Sequence, residues 1–384
     1  MKRGKFLVLL FCLSLFMPDV ALAAEKKHLS IGMHADNFMG ILKYAKELNV
    51  GIMRNVVKWQ EIEPYEKANN EYRDTLMKQN PNMVRASFKR GFAIFPLIDR
   101  LDKSGYYWEK MDEKVKKAEE ENVDILLNLR SVSLWGTIAQ PKRRGGSGFI
   151  ASSMPKEINR WKKFVKAVAS RYKNRKIKIY YEIENEVNAP GFWNGTIEEY
   201  AKLLTETYKT IKSADPDAVV LHAAMACGIT RDRKTEEMQR EFANRHDNYL
   251  KPILETKAFD VVNVHNYYFP DREVNGFTFS SYIEHARKYM AEAGVSEKPI
   301  WVSEFGYVSQ ATPVGTRLDD SSPNKQAEWL KEALKQAEGL GVEKVFWLLL
   351  YDRDEPYFGS MGLMGDDGSQ RPALDIIRKY NQRE

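Results

Sequence analysis

The sequence predicts a (β/α)8 TIM barrel with an insertion after the second strand, and three observations support this fold class. Eight short β-branched runs alternate with amphipathic helical stretches, which is the pattern of parallel strands joined by crossover helices. These eight units nearly fill the 384 residues, a length that one barrel can take up. His34-Ala35-Asp36-Asn37 follows the first strand in place of a Gly-rich phosphate turn, so an open doubly wound sheet is the weaker alternative.

The individual elements follow from local patterns. Short apolar runs of strand length indicate buried parallel strands, at residues 29–34, 51–57, 123–129, 177–183, 218–224, 261–267, 300–304 and 345–351. Apolar residues at a spacing of three and four indicate helices packed on the sheet, at residues 39–48, 109–121, 156–172, 197–213, 281–293 and 325–340, with a closing helix at 373–380.

Two stretches lie outside this regular alternation. Residues 65–107 are predicted to be an insertion after strand two, with a helix-like part at 72–89 and a strand-like part at 92–99. Pro96 argues against a ninth central strand, because proline cannot donate a ladder hydrogen bond. Residues 140–153 form a second decoration after strand three. Long loops on the carboxyl face of a barrel usually shape a substrate site, although plain surface loops are an equal alternative here.

The amino terminus has the pattern of a secretory signal peptide. Lys2, Arg3 and Lys5 precede an apolar run at 6–17, and Ala21-Leu22-Ala23 is a small-x-small cleavage site. We therefore expect residues 1–23 to be removed and residues 24–384 to form a single domain that is secreted or periplasmic. The apolar run is short for a bilayer span, so we expect no stable membrane insertion after cleavage. An uncleaved anchor is the alternative.

Composition excludes several classes of function. The chain is 43% hydrophobic and 29% charged, which is typical of a globular enzyme or binding protein. Its net charge of +6 is spread along the chain, so we expect no nucleic-acid partner. Two cysteines exclude a disulfide framework and a Cys-rich zinc module. His and Asp residues show no metal-ligand spacing in sequence, so we expect no catalytic metal and no cofactor. We also expect a monomer.

Chemistry-bearing residues concentrate where the predicted strands end, which is where barrels place their active sites. Strand four ends in Glu182-Ile183-Glu184-Asn185-Glu186 and strand seven in Ser303-Glu304. Glu186 and Glu304 are 118 residues apart, or about 39 per unit over three βα units, which fits the register of a barrel. Two carboxyl groups facing one bond are what glycoside hydrolysis requires. The sequence therefore predicts a glycosidase with Glu186 and Glu304 as its catalytic pair.

These motifs together resemble the retaining glycoside hydrolases of clan A. The resemblance rests on Asn185-Glu186 after strand four, Ser303-Glu304-Phe305-Gly306 after strand seven and His265-x-Tyr267 on strand six. The run from Glu182 to Asn188, followed by Phe192-Trp193 and Asp215-Pro216-Asp217, is most similar to the family 39 type, and the resemblance covers roughly residues 29–380. The chain has Glu184 and Val187 where that family has Trp and Pro around the Asn-Glu pair.

The resemblance implies a role for each matching residue. Glu186 would act as general acid and then base, and Glu304 as the nucleophile that forms a glycosyl-enzyme. Asn185 would hydrogen-bond the sugar 2-OH, and Arg54 and Tyr267 would hold Glu304 ionised and oriented. His265 would bind the sugar or steady this network. Trp347 would present an apolar face to a sugar ring.

Further residues are open to two interpretations. Trp135, Trp193 and His34 stand near strand ends and are candidates for substrate binding, but each can equally be structural. His222 and Cys227 are expected to pack in the interior, and Glu182 and Glu184 to join structural ion pairs. As a whole, the sequence predicts an exported retaining glycosidase acting on a polysaccharide or oligosaccharide, with endo action favoured. The alternatives are a non-catalytic carbohydrate-binding barrel of the cell envelope and an exo-β-glycosidase acting on small glycosides.

Overall fold

The computed structural model describes residues 29–64, 100–133, 135–138, 151–226, 236–268, 279–309, 322–354 and 359–382. Within these ranges, eight parallel strands form one sheet in the order β5-β4-β3-β2-β1-β8-β7-β6. The strands are β1 Ser30–His34, β2 Ile52–Lys58, β3 Asp124–Arg130, β4 Ile179–Ile183, β5 Val220–His222, β6 Val262–Tyr268, β7 Ile300–Tyr307 and β8 Val342–Trp347. This sheet confirms the predicted (β/α)8 barrel.

Helices connect the strands on the outside. They are α1 Phe38–Leu48, α2 Trp59–Ile62, α3 Glu109–Glu121, α4 Ile158–Tyr172, α5 Ile197–Ala214, α6 Glu236–Thr256, α7 Phe279–Glu292, α8 Pro323–Gly339 and α9 Pro372–Asn381. Their apolar faces are buried against the strands, as Trp161, Phe164, Val165 and Val168 of α4 illustrate. Among the described residues, no helix combines the length and apolar character that a membrane span needs.

Two different seams close the barrel. β1 pairs with β8 over four residue pairs, from Ser30 with Lys344 to Met33 with Trp347. β5 has only three residues and meets the β6 side through a single bridge between Leu221 and Val261. A hydrogen bond of 2.7 Å from the Asp260 N–H to the Val220 carbonyl supports that bridge. The β5–β6 seam is therefore the thinner of the two.

The lower half of the barrel interior is apolar. Seven buried residues there form a separate cluster, one from each of the strands β2 to β8 or from the residue just before the strand. They are Ile52, Leu126, Tyr180, Leu221, Val261, Trp301 and Phe346. Gly32 occupies the eighth position on β1, opposite Phe346. A Cβ atom there would lie 2.7 Å from the Phe346 ring and 2.8 Å from the Ile52 carbonyl oxygen. The two bulky neighbours thus require the absence of a side chain at Gly32.

The next inward-facing layer is polar, because side chains on one face of a strand recur every two residues. Four buried polar residues lie two positions after Gly32 or after a member of the apolar cluster, which we call the lower layer. They are His34, Arg54, Glu182 and Asn263. Arg54 and Glu182 are completely buried. This polar layer is the floor on which the candidate site is built.

The sequence patterns located most elements within a few residues, but the short helix α2 was not predicted and two further elements differ. The predicted strand at 345–351 is divided, since β8 ends at Trp347 and β9, Leu349–Tyr351, pairs with β10, Gly362–Met364, in a separate two-stranded sheet. α6 contains Pro252, and its bounds were not defined by the sequence pattern. Several predictions fall outside the described residues. These are the signal peptide at 1–23, most of the insertion at 65–107 with its segments at 72–89 and 92–99, residues 140–150 of the second decoration, and Cys227.

Candidate active site

Arg54 on β2 lies at the centre of the polar layer. Its guanidinium donates from Nε to Glu182 Oε2 at 2.5 Å, from Nη1 to Glu304 Oε1 at 2.5 Å and from Nη2 to Asn185 Oδ1 at 2.7 Å. Burial alone would lower the pKa of Arg54, but the negative charges of Glu182 and Glu304 outweigh it and raise that pKa. Arg54 is therefore a permanent positive charge shared by two carboxylates.

Glu304 on β7 is held as an anion. Its Oε1 accepts from Arg54 and its Oε2 accepts a short hydrogen bond from the Tyr267 hydroxyl. Burial favours the neutral acid, but the positive charges of His265 and Arg54 prevail and lower the pKa of Glu304 to about 2. Its side chain is still 11% exposed. An ionised carboxylate with residual access is suited to nucleophilic attack.

Glu186 lies beside this anion and contacts the same histidine. Glu186 Oε1 is 2.9 Å from His265 Nδ1, and that nitrogen is 3.6 Å from Glu304 Oε2. Burial would lower the pKa of His265, but the two glutamates outweigh burial and raise it. One oxygen from each glutamate and one nitrogen of His265 lie within 4.8 Å of one another. Carboxylate oxygens this near to each other are compatible with the carboxyl separation of about 5–5.5 Å that retaining glycosidases use.

A β-bulge in β7 brings two successive residues into the site. Val264 pairs with Val302, whereas His265 pairs with Glu304, so Ser303 is an extra residue on β7. Ser303 Oγ lies 3.1 Å from His265 Nε2 and donates to Glu182 Oε1 at 3.2 Å. Without the bulge, Ser303 and Glu304 would face opposite sides of the sheet.

The chain leaves β4 in an unusual backbone conformation. Glu184 and Glu186 have φ values of 68° and 42°, in the left-handed region that non-glycine residues seldom adopt. Backbone hydrogen bonds of 3.0 Å hold both residues, from the Glu184 N–H to the Leu129 carbonyl and from the Glu186 N–H to the Ala224 carbonyl. Local strain of this kind tends to occur at functional sites, and here it directs Glu186 toward His265.

Asn185 presents its amide in a defined orientation. Because Arg54 has only donors, the Asn185 oxygen must face it, at 2.7 Å from Nη2. The amide NH2 group is thereby the end left to donate to another group, such as a sugar hydroxyl.

Glu182 and Glu184, which the sequence suggested as structural ion-pair members, are both completely buried. Glu182 accepts from Arg54, from Ser303 and from Asn263 Nδ2 at 2.7 Å. Glu184 accepts from the Ser131 N–H at 2.6 Å and lies 3.7 Å from Arg130 Nε. Burial raises the pKa of Glu184. Glu182 thus belongs to the network under the site, and Glu184 to the support of the strained turn.

His34 joins the network, whereas the three predicted substrate-binding tryptophans direct their N–H groups to backbone carbonyls elsewhere in the described part of the chain. His34 Nδ1 lies 3.0 Å from Arg54 Nη1, and its Nε2 lies 2.8 Å from Asp36. Trp347 has no exposed surface and donates to the Met361 carbonyl at 2.9 Å. Trp193 is buried and donates to the Thr196 carbonyl, and Trp135 packs on Arg160 at 4.0 Å. Substrate binding by these three residues stays a prediction.

Sequence reasoning did not identify Ser303 and Asn263 as members of the network. Asn263 lies on the same strand face as His265, two residues earlier, and a polar residue at such an inward position is a usable signal. His222, expected to be a packing residue, is completely buried, and burial lowers its pKa to about 4.

The model of the family Cellulase (glycosyl hydrolase family 5) matches residues 44–352. The chain belongs to this family. The family and the barrel confirm the clan A glycosidase expected from the sequence motifs.

Three proteins illustrate what this glycosyl hydrolase family 5 chain is similar to. A family 39 β-xylosidase from Caulobacter crescentus superimposes with a TM-score of 0.64 at 16% identity, over 93% of this chain and 72% of that one. A hyperthermostable endo-1,4-β-D-mannanase from Thermotoga petrophila RKU-1 gives 0.53 at 15% identity, over 93% and 99%. These two likenesses show a shared fold.

The third is a probable mannan endo-1,4-β-mannosidase F of Neosartorya fischeri. It is 30% identical over 128 residues, which are 32% of this chain and 27% of that protein. The match therefore spans about a quarter of this relative's length.

Proposed function

We propose that this chain is an exported retaining glycosidase in which Glu304 is the nucleophile and Glu186 the general acid and base. The observation that carries the proposal is the spacing of the two carboxylates, whose nearest oxygens lie within 4.8 Å of each other and of His265. An inverting enzyme needs a wider gap of about 6.5–9.5 Å for a water molecule. The spacing thus favours a covalent glycosyl-enzyme intermediate.

The proposed mechanism has two steps. Glu304, ionised between Arg54 and Tyr267, attacks the anomeric carbon while Glu186 gives its proton to the departing oxygen. Formation of the covalent bond removes the charge of Glu304, which favours ionised Glu186, the form that a base requires. Glu186 then takes a proton from water, which releases the sugar with its configuration retained. Asn185, fixed by Arg54, would donate to the sugar 2-OH in both steps.

His265 would keep the two glutamates in their different roles. Its Nδ1 faces Glu186, and its Nε2 faces Ser303, which in turn donates to Glu182. Glu182 binds Arg54, and Arg54 binds Glu304. Hydrogen bonds thus connect the six residues in a chain from Glu186 to Glu304, and His265 Nδ1 lies 3.6 Å from Glu304 Oε2. This arrangement would preorganise the site before substrate arrives.

We propose a β-1,4-linked polysaccharide as the substrate class, with endo action and with mannan as the first polymer to test. Support comes from the partial sequence match to a probable mannan endo-1,4-β-mannosidase. Export is supported by the basic start at Lys2 and Arg3, the apolar run at 6–17 and the Ala21-Leu22-Ala23 site.

Trapping with a 2-fluoro-glycosyl fluoride tests the nucleophile. We expect time-dependent inactivation and one labelled peptide containing Glu304. Glu304→Gln should remove both labelling and turnover while circular dichroism shows a folded protein. Labelling of a peptide without Glu304, or unchanged turnover by Glu304→Gln, would refute the assignment. Digestion of mannan, glucan and xylan with sizing of the products then distinguishes endo from exo action, and the absence of products from every polymer would favour the non-catalytic binding barrel.

A further inference from the structure

A second cluster of metal-ligating side chains lies in the helical layer, away from the polar layer inside the barrel. His246 and Asp247 are on α6, and His285 is on α7. His246 is 6% exposed as a residue. The side chains of Asp247 and His285 are 25% and 20% exposed. The cluster is thus nearly enclosed, with an opening to solvent.

The three side chains converge on one point. His246 Nδ1 lies 3.1 Å from Asp247 Oδ1, and His285 Nε2 lies 2.8 Å from the same oxygen. All three ligand atoms lie within 4.8 Å of one another. Two imidazole nitrogens and one carboxylate oxygen are a donor set that suits zinc and related divalent ions.

We propose that His246, Asp247 and His285 form a Zn²⁺ site that joins α6 to α7. Zinc bonds of about 2.0–2.2 Å at tetrahedral angles place neighbouring ligand atoms roughly 3.3–3.5 Å apart. To reach this, the His246–Asp247 distance of 3.1 Å needs to widen by roughly 0.2–0.4 Å and the His285–Asp247 distance of 2.8 Å by roughly 0.5–0.7 Å. A water molecule would complete the tetrahedron at the fourth position. The site is distinct from the Glu186–His265–Glu304 group.

The surroundings supply the outer hydrogen bonds that zinc ligands normally have. The Tyr282 hydroxyl contacts His246 Nε2, the nitrogen turned away from the proposed ion. The Tyr289 hydroxyl donates to Asp247 Oδ2 at 2.7 Å, which directs the other oxygen to the centre. With zinc bound, His246 donates from Nε2 to Tyr282, which frees Nδ1 as the ligand. The nearby Lys251 and Lys288 lie over the ring of Tyr289.

Calorimetric titration of the chelator-treated full chain with ZnCl2 tests the proposal. We expect one equivalent to bind and the melting temperature to rise with zinc concentration, because the ion binds only the folded state. His285→Gln should weaken binding by more than about 100-fold, since it removes a ligand rather than an outer contact. Glu284→Gln, an exposed neighbour on the same helix, is the matched control and should bind as the unmodified chain does.

Three further variants separate this site from the catalytic group and from a folding defect. Asp247→Asn should also lose binding, and His265→Asn should keep the one equivalent. Tyr282→Phe leaves all three ligands in place and should weaken binding about 10–100-fold. The proposal is overturned if the unmodified chain binds no zinc. Zinc binding that disappears with His265→Asn, or that His285→Gln and Asp247→Asn leave intact, also overturns it.

Discussion

Arg54 determines the charge balance of the site, because one guanidinium serves both Glu182 and Glu304. A single positive charge cannot neutralise two carboxylates, and Glu186 adds a third acidic group nearby. Burial lowers the pKa of His265, but Glu304 and Glu186 raise it by a larger amount. A protonated His265 therefore supplies a second positive charge that balances the excess of carboxylates. Removal of Arg54 would therefore leave two buried anions, and loss of folding is the expected result.

Tyr267 offers a milder way to test the ionisation of Glu304. Its hydroxyl donates to Glu304 Oε2 and thereby stabilises the anion. Tyr267→Phe removes this donor, so the pKa of Glu304 should rise from about 2. A hydrogen bond to a charged group contributes about 1.5–3 kcal/mol, or roughly one to two pH units. The acid limb of kcat/KM should move to higher pH by that amount.

Tyr208→Phe is the matched control for this experiment. Tyr208 also donates to a carboxylate, Asp260 Oδ1 at 3.0 Å, but on α5 outside the barrel. Its pH profile should coincide with that of the unmodified chain. A shift of the Tyr267→Phe profile to lower pH would contradict the role given to Tyr267.

The proposed role of Glu186 as acid and base can be tested with substrates that differ in their leaving group. Glu186→Ala removes the proposed acid, so glycosides with poor leaving groups should lose about 10²–10⁴-fold in rate while activated aryl glycosides lose much less in the first step. Azide should restore part of the second step, because it attacks the glycosyl-enzyme without a base. Uniform losses across leaving groups, with no azide effect and no glycosyl azide product, would show that Glu186 is not the acid and base.

The residues of the site were predictable where chemistry and strand register coincide. Glu186 and Glu304 were singled out by residue type at strand ends. The resemblance to clan A added Arg54, Asn185, His265 and Tyr267, and direct contacts link these residues in the structure. The joint placement of Ser303 and Glu304 was not predictable. Ser303 lies two residues after Trp301 of the lower layer, so regular alternation turns it inward but would turn Glu304 outward. Both face inward because of a bulge that leaves no mark in the sequence.

At the scale of elements, the interior of the barrel depends on one small residue. Gly32 on β1 lies between Phe346 of β8 and Ile52 of β2, in the seam that closes the barrel. Gly32→Ala places a methyl group against a backbone carbonyl as well as a ring, so the strands themselves must move. We expect a loss of about 1–3 kcal/mol in the free energy of unfolding, measured by urea denaturation.

Gly51 provides the control for that substitution. It precedes β2, and an added Cβ there would meet nothing within 4 Å. Gly51→Ala should leave the free energy of unfolding unchanged or raise it slightly, since alanine restricts the unfolded chain. Equal stability of the two variants would mean that the lower layer can relax around a methyl group at Gly32.

Strand boundaries were predicted best where turn residues bound them. The sequence pattern placed β4 within two residues at its start, whereas it merged β8 with β9, because 345–351 is a continuous apolar run. The break follows from tertiary contacts. Trp347 donates to Met361, and Leu349–Tyr351 pairs with Gly362–Met364. Partners that lie downstream in the chain cannot be read from the run itself.

At the scale of the whole molecule, we expect the insertion predicted at 65–107 to affect substrate range. It leaves the barrel after Pro64 and returns before Trp108, at the carboxyl end of β2. We expect it to form a wall of the substrate groove. Replacement of residues 65–99 by a few Gly and Ser residues should then lower kcat/KM for long oligosaccharides more than for disaccharides.

The described end of this segment defines where the replacement must stop. Tyr106 and Trp108 are buried, and the Tyr107 N–H donates to the Ile62 carbonyl at 2.7 Å, so residues 100–108 should be kept. If kcat/KM is unchanged for oligosaccharides of every length, the segment does not form a wall of the substrate groove. A shortened protein that does not fold would show that the segment is instead a structural patch.

The seam between β1 and β8 has a consequence for how the chain is synthesised. β1 gains one neighbour early, when β2 has been made, but its other edge stays open until Lys344 to Trp347 can pair with it. Ribosome-bound chains therefore carry an unpaired strand edge through most of translation. Glu304 also emerges late, so no nascent chain can hold the Arg54–Glu304 pair before residue 304 has been made. Enzymatic activity is consequently a property of the finished polypeptide, and an N-terminal fragment would be an aggregation-prone species rather than a smaller enzyme.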